Sequence, residues 1–178
     1  MCEYTIRQAV PEDAKKLSQL IRRCMQTYRR ESGISESVLE SLHESVETVA
    51  DRIGRNRCLC YFDGDEPVGT ITLARVNNPM RYSFSTITEE YLSNYKSCVY
   101  ISRFAVDDDL RGTGLGVKLM QTALSEPEAL ESGLAMLHTA VANRRMHEFY
   151  HNRGFVMLDS ENSRGYERGL YIHAILDM

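Results

Sequence analysis

A chain of 178 residues, 43% of them apolar, has the length of one domain and can bury one full core. Its formal net charge of −4 argues against a general nucleic-acid surface, and no apolar run is long enough to cross a membrane. Five scattered cysteines supply neither a disulfide framework nor zinc-ligand spacing, and with no signal peptide or lipidation motif in view a reducing cytoplasm fits.

Thr5 to Val10 reads as a short strand. Pro11, Glu12 and Asp13 then suit the first turn of a helix, where proline needs no N–H and acids meet the positive end of the dipole. Ala14, Leu17, Leu20, Ile21, Cys24 and Tyr28 give that helix one apolar face. The spacing of Ser37 to Glu40 fits a capping box, which predicts a second helix from Ser37 through Val38, Leu42, Val46, Val49 and Ile53. Arg57 to Phe62 and Val68 to Val76 read as strands of a hairpin about the turn D-G-D-E-P, with Cys58 and Cys60 on one face as core thiols. Asn77 to Ser97 is then too long for a hairpin loop. Glu89 to Lys96 suits a turn or two of helix. Tyr82, Phe84, Tyr91 and Tyr95 suit either an acceptor pocket or the pinning of a surface loop.

Val99 to Val106 is a buried-strand pattern that runs through an acidic turn into Arg111, Gly112, Thr113, Gly114, Leu115, Gly116 and Val117, where an amphipathic helix opens. Glycines at a loop-to-helix junction let several backbone N–H groups converge, and a helix start favours anions through its unpaired donors and dipole. Arg111 adds a fixed positive charge. The pattern points to a phosphate-bearing ligand, with a pyrophosphate the best fit. It has neither the G-x-G-x-x-G register of a dinucleotide fold nor the Gly-Lys-Ser/Thr of a triphosphate loop.

Leu134 to Val141 is the next strand, and a strand–helix–strand crossover of this length implies a right-handed parallel pair. Asn143 then suits a helix N-cap. Met146, Phe149, Tyr150 and Arg153 share one helical face, and Gly154 ends the helix before Phe155. Phe155 to Asp159 and Tyr166 to Leu176 close the sheet as an antiparallel pair. The pattern is α/β.

Together R-G-T-G-L-G and N-x-x-M-x-x-F-Y-x-x-x-G-F resemble the two signature motifs of the GCN5-related N-acetyltransferase (GNAT) superfamily, in its order and at a typical separation. The likeness is close over residues 99–155 and looser elsewhere. It implies a single-domain GNAT fold over residues 1–178, a mixed twisted sheet with a splayed parallel strand pair flanked by helices. It also implies transfer of an acetyl group from acetyl-CoA to a primary amine, with no metal. In that family the pantetheine arm enters the strand gap, so main-chain groups of Phe104, Ala105 and Val106 would meet it. Residues 111–117 would cradle the pyrophosphate. Asn143 would serve as both cap and cofactor contact, and Tyr150 as the acid that protonates the leaving thiolate.

Many relatives place a glutamate near the positions of Ser102 and Arg103, and this chain has no acid there. His138, whose unperturbed pKa is about 6.5, is the candidate base; Glu31, Asp107 and a water chain stay open. Two other readings compete. One is an acyltransferase taking longer chains from acyl carrier protein or acyl-CoA, because S-R-F-A-V also resembles acyl-homoserine-lactone and related N-acyl amino acid synthases. The other is a coenzyme A-binding sensor without catalysis. The acceptor itself has no motif. Mild overall acidity suits a cationic amine, though whole-chain charge says little about one pocket. A homodimer is compatible with the sequence.

Overall fold

The computed structural model describes residues 4–175. Seven strands form one sheet in the order β1-β2-β3-β4-β5-β7-β6: β1 Tyr4–Gln8, β2 Arg57–Asp63, β3 Glu66–Val76, β4 Cys98–Val106, β5 Leu134–Ala140, β6 Val156–Glu161 and β7 Arg168–Ala174. All neighbours run antiparallel except β4 and β5. The expected mixed sheet with a parallel pair is therefore present. Leu176, the expected end of the last strand, lies outside the described residues.

Two layers of helices cover the sheet. On one face, α1 (Ala14–Ser32) and α2 (Val46–Arg55) bury Leu17, Leu20, Ile21, Cys24, Val49 and Ile53 against Cys58, Cys60 and Phe62 of β2. On the other, α4 (Leu115–Leu124), α5 (Pro127–Ser132) and α6 (Arg144–His151) pack Leu119, Met120, Ala129, Met146 and Tyr150 against Leu59, Ile71, Leu73, Ile101 and Leu137. The alternation of β2 decides this sandwich, since Cys58, Cys60 and Phe62 face one layer while Leu59 and Tyr61 face the other. No helix of the described residues is long and apolar enough to cross a membrane.

Three expectations need correction. The second helix begins at Val46, not at Ser37. Its working cap is Ser45, whose hydroxyl accepts the Thr48 N–H at 3.1 Å. Residues 36–38 and 40–42 are single 3-10 turns, because burying Leu39 with Ile34 and Leu42 requires an extended Leu39 between them. In the long connection, α3 spans Thr86–Leu92 rather than Glu89 to Lys96, since Ser85 and Thr88 cap it and Leu92 is fully buried. Finally, a break at Ser125 and Glu126 separates α5 from α4, and Pro127 opens the added helix.

The strand gap has a local cause. Thr70 pairs with Ala105 and Thr72 with Ser102, so Arg103 and Phe104 together oppose Ile71 in a β-bulge. Arg103 takes a left-handed φ of 50° there, the one positive φ among the described non-glycine residues. The bulge bends β4 away from its parallel neighbour. Only Val99 with Ala135 and Tyr100 with Met136 pair across β4 and β5.

Candidate functional site

Beyond Tyr100 the two strands part around a cavity of about 460 Å³. Residues 100–106 of β4 form one wall, and Leu137, His138 and Thr139 of β5 the other. Helix α6 contributes Arg145, Met146, Phe149 and Tyr150, and α1 contributes Cys24, Met25 and Tyr28.

One mouth is the start of α4. Gly112 and Gly114 have φ of 77° and 88°, a conformation that side-chain-bearing residues rarely adopt, which turns the chain sharply into the helix. The N–H groups of Gly114, Leu115, Gly116 and Val117 have no acceptor among the described residues, as the first turn of a helix requires. Gly112, Gly114, Gly116 and Val117 line the cavity together with Arg111, whereas Thr113 and Leu115 do not. Thr113 instead donates its hydroxyl to Leu110 O. Arg111 and Arg145 both bond Glu31, at 2.9 and 2.8 Å, and Arg111 also reaches Asp108. Burial works against ionisation of Glu31, but the two guanidiniums outweigh it and hold the carboxyl below its usual range. Glu31 thus braces two cations at this mouth.

Along β4, Phe104, Ala105 and Val106 all line the cavity. The Cys24 thiol donates weakly to Val106 O at 3.3 Å. Asp107 does not line it; this residue caps the 3-10 turn at 108–110 and pairs with Arg23.

Tyr150 is 5% exposed, its ring packed among Phe104, Phe149, Phe155 and Tyr171. Its hydroxyl has no hydrogen-bond partner among the described residues, and burial pushes the phenol well above its ordinary value. Asn143 lies behind the cavity, 1% exposed. Its Oδ1 accepts the Met146 N–H at 3.0 Å and its amide donates to Ser32 Oγ at 3.0 Å. The cap is as expected, and the rest of the side chain is spent on α1.

At the far end, His138 Nδ1 lies 2.7 Å from the Tyr100 hydroxyl, and Tyr100 stacks on Tyr82 at 4.7 Å. Burial, with the nearby Arg168 charge, lowers the imidazole to about 4, so it is uncharged at neutral pH rather than poised near its unperturbed value. Tyr82 stands behind the wall, against Tyr100 and, at 6.1 Å between ring centroids, His138. Tyr91 and Tyr95 pack on a core cluster, and none of residues 77–97 lines the cavity. Those rings pin the connection.

Several groups escaped sequence reading. Arg103 binds Glu44, which also takes Arg52; Arg168 binds Glu161. Tyr28 meets Thr139 Oγ1 at 3.1 Å and accepts the Ala140 N–H at 2.8 Å. A tyrosine on the cavity side of α1 was visible, but its partners lie more than a hundred residues away.

The acetyltransferase (GNAT) family model matches residues 17–155. Solved structures similar to this chain include PaiA N-acetyltransferase of Thermoplasma acidophilum in complex with coenzyme A, 19% identical with a TM-score of 0.73 over 97% of this chain and 99% of that one. A GNAT-family acetyltransferase of Streptococcus agalactiae is 15% identical with a TM-score of 0.77, covering 98% and 96%. NAA60 of Arabidopsis thaliana, bound to a bisubstrate analogue, is 15% identical with a TM-score of 0.69, covering 97% and 98%. No curated protein sequence matches the chain.

Proposed function

Since the chain belongs to the acetyltransferase (GNAT) family, we propose that it moves the acetyl group of acetyl-CoA onto a primary amine by direct attack in a ternary complex. The observation that carries this is the gap between β4 and β5, open beyond Tyr100 and ending at the unpaired amides of α4. The donor's diphosphate rests on the main chain of residues 111–117, with Arg111 and Arg145 braced beside it by Glu31. Pantetheine lies along Phe104, Ala105 and Val106, using main-chain groups that β5 leaves free. The coenzyme-bound state of the PaiA structure supports this donor.

A neutral amine attacks the thioester carbonyl, and negative charge grows on its oxygen. The Phe104 N–H is assigned to that oxygen, an interaction worth roughly 10²–10³ in rate. Tyr150 returns a proton to the departing sulfur. Burial keeps its phenol protonated, and the same dry surroundings raise the basicity of the thiolate, so donor and acceptor stay matched. Asn143 fixes the start of α6 and thereby the place of Tyr150. His138 is uncharged, and in the tautomer whose Nδ1–H donates to the Tyr100 oxygen its Nε2 can accept a hydrogen bond from the neutral amine. A base of such low pKa removes protons poorly, so the amine enters already deprotonated or loses its proton to water.

Cys24, Cys58, Cys60 and Cys98 are free and buried, in keeping with a cytoplasmic enzyme whose 178 residues work as one domain. Titration calorimetry with coenzyme A and acetyl-CoA tests the donor, and acetyl-CoA-dependent thiol release over a panel of amines tests the reaction. A folded protein that gives no heat with either thiol or thioester overturns the proposal.

A further inference from the structure

We infer that the acceptor is an amine that also carries a carboxylate, held by Arg103 from β4 and Arg168 from β7. This deepens the acetyl-transfer reading and rests on it. No aspartate or glutamate lines the cavity among the described residues, although the chain as a whole is acidic. Four arginines do. Arg111 and Arg145 belong to the mouth at α4, where the donor's phosphates are expected.

The other two stand at the opposite end. Arg168 faces Ala140 across β5 and β7, two residues along the same face from the His138–Leu170 pair. Arg103 sits on the bulge of β4, across the gap. Both charges act on Tyr100, the hydrogen-bond partner of His138. Each guanidinium is held from behind by an acid outside the cavity wall, Arg103 by Glu44 and Arg168 by Glu161. Those acids do not use up the donors. Nη1 of Arg103 and both terminal nitrogens of Arg168 have no partner among the described residues. Glu44 is also shared with Arg52, so one carboxylate serves two guanidiniums and leaves that cluster net positive.

A third group points the same way. Ser41, 5% exposed and lining the cavity, has a buried hydroxyl with no hydrogen-bond partner. Buried donors without acceptors are costly, and a carboxylate satisfies several at once. Planar guanidiniums with their Nε side tethered are oriented for such a ligand. A polyamine or a lysine-rich peptide meets guanidinium donors and no carboxylate on this wall, so its ammonium groups find no anionic acceptor there.

The test compares acetyl-CoA-dependent thiol release for matched acceptors: amino acids and dipeptides with free carboxylates, their carboxamides, and spermidine. The inference expects kcat/KM about tenfold or more higher for acids than for amides, with spermidine lowest. Arg168→Gln and Arg103→Gln should each shrink the acid-over-amide ratio by about tenfold, chiefly through KM, and Arg168→Lys should restore part of it. Retained acetyl-CoA affinity shows that each variant is folded. Equal or better use of amides or spermidine overturns the inference while leaving acetyl transfer intact. So does an unchanged ratio in both glutamine variants. If acetyl-CoA binds but no amine of any kind turns over, the acetyl-transfer reading fails. Calorimetry of the same amino acids against the CoA-loaded protein then decides, and absence of carboxylate-dependent binding overturns the inference.

Discussion

The Tyr28 hydroxyl accepts the Ala140 N–H at 2.8 Å and so takes the place of a strand at the open edge of β5. Where β4 has bent away, the main chain of β5 would otherwise present an unpaired donor to a half-dry cavity. Helix α1 supplies the missing acceptor and fixes the width of the gap. The same hydroxyl meets Thr139 Oγ1 at 3.1 Å, so one phenol braces two consecutive residues.

Tyr28→Phe keeps the ring and removes only these bonds. Leaving a buried N–H unpaired costs roughly 1–3 kcal/mol. The denaturation midpoint should fall accordingly with an unchanged m-value, and acetyl-CoA affinity should weaken because the gap is no longer held to one width. An unaltered midpoint would show that water replaces the hydroxyl at no cost.

Tyr150→Phe tests the acid. The ring packing survives, since the hydroxyl has no partner among the described residues. Loss of the proton donor should lower kcat by about 10²-fold or more, with acetyl-CoA affinity nearly unchanged by calorimetry. Because burial keeps the phenol protonated, the wild-type rate should show no tyrosine limb below its ordinary pKa of about 10. A kcat equal to wild type removes Tyr150 from the mechanism.

Gly114→Val separates backbone from side-chain space. A Cβ at Gly114 meets nothing within 4 Å, so crowding is not the obstacle. The obstacle is a φ of 88°, which a β-branched residue adopts at a cost of order 1–3 kcal/mol. The expected result is a re-aimed loop, with coenzyme A affinity reduced by tenfold or more at a smaller loss of stability. Unaltered affinity contradicts the cradle at residues 111–117.

What could be read beforehand follows the range of the interactions. The glycines of the α4 loop, the Asn143 cap and the Tyr150 face are set by neighbours within a helical turn, so spacing alone exposes them. Ser37 and Ser45 are both able to cap a helix, and the choice between them belongs to the burial of Leu39 beside Ile34 and Leu42. Partners far apart in the chain left no local trace: Arg103 with Glu44, Tyr28 with Ala140, Asn143 with Ser32. Whole-chain acidity says little about the cavity for the same reason. The acids stand behind the arginines, and the side chains lining the cavity include four arginines and no carboxylate among the described residues.

His138 makes a prediction in pH. Its folded pKa of about 4 lies below the unfolded value of about 6.5, so between these limits the unfolded chain binds the extra proton. Stability therefore rises with pH through that window and is lost as pH falls from 6.5 toward 4, by roughly 3 kcal/mol in all. His138→Gln should flatten this part of the stability curve in urea melts from pH 4 to pH 7, while leaving the slopes set by the carboxylates. The rate should follow the same logic. Because the imidazole is already neutral at pH 6, the wild-type profile should show no limb near 6.5 from this residue, and any limb it owns should lie near 4. A limb near 6.5 that disappears in His138→Gln would mean that the imidazole titrates freely and acts as the base.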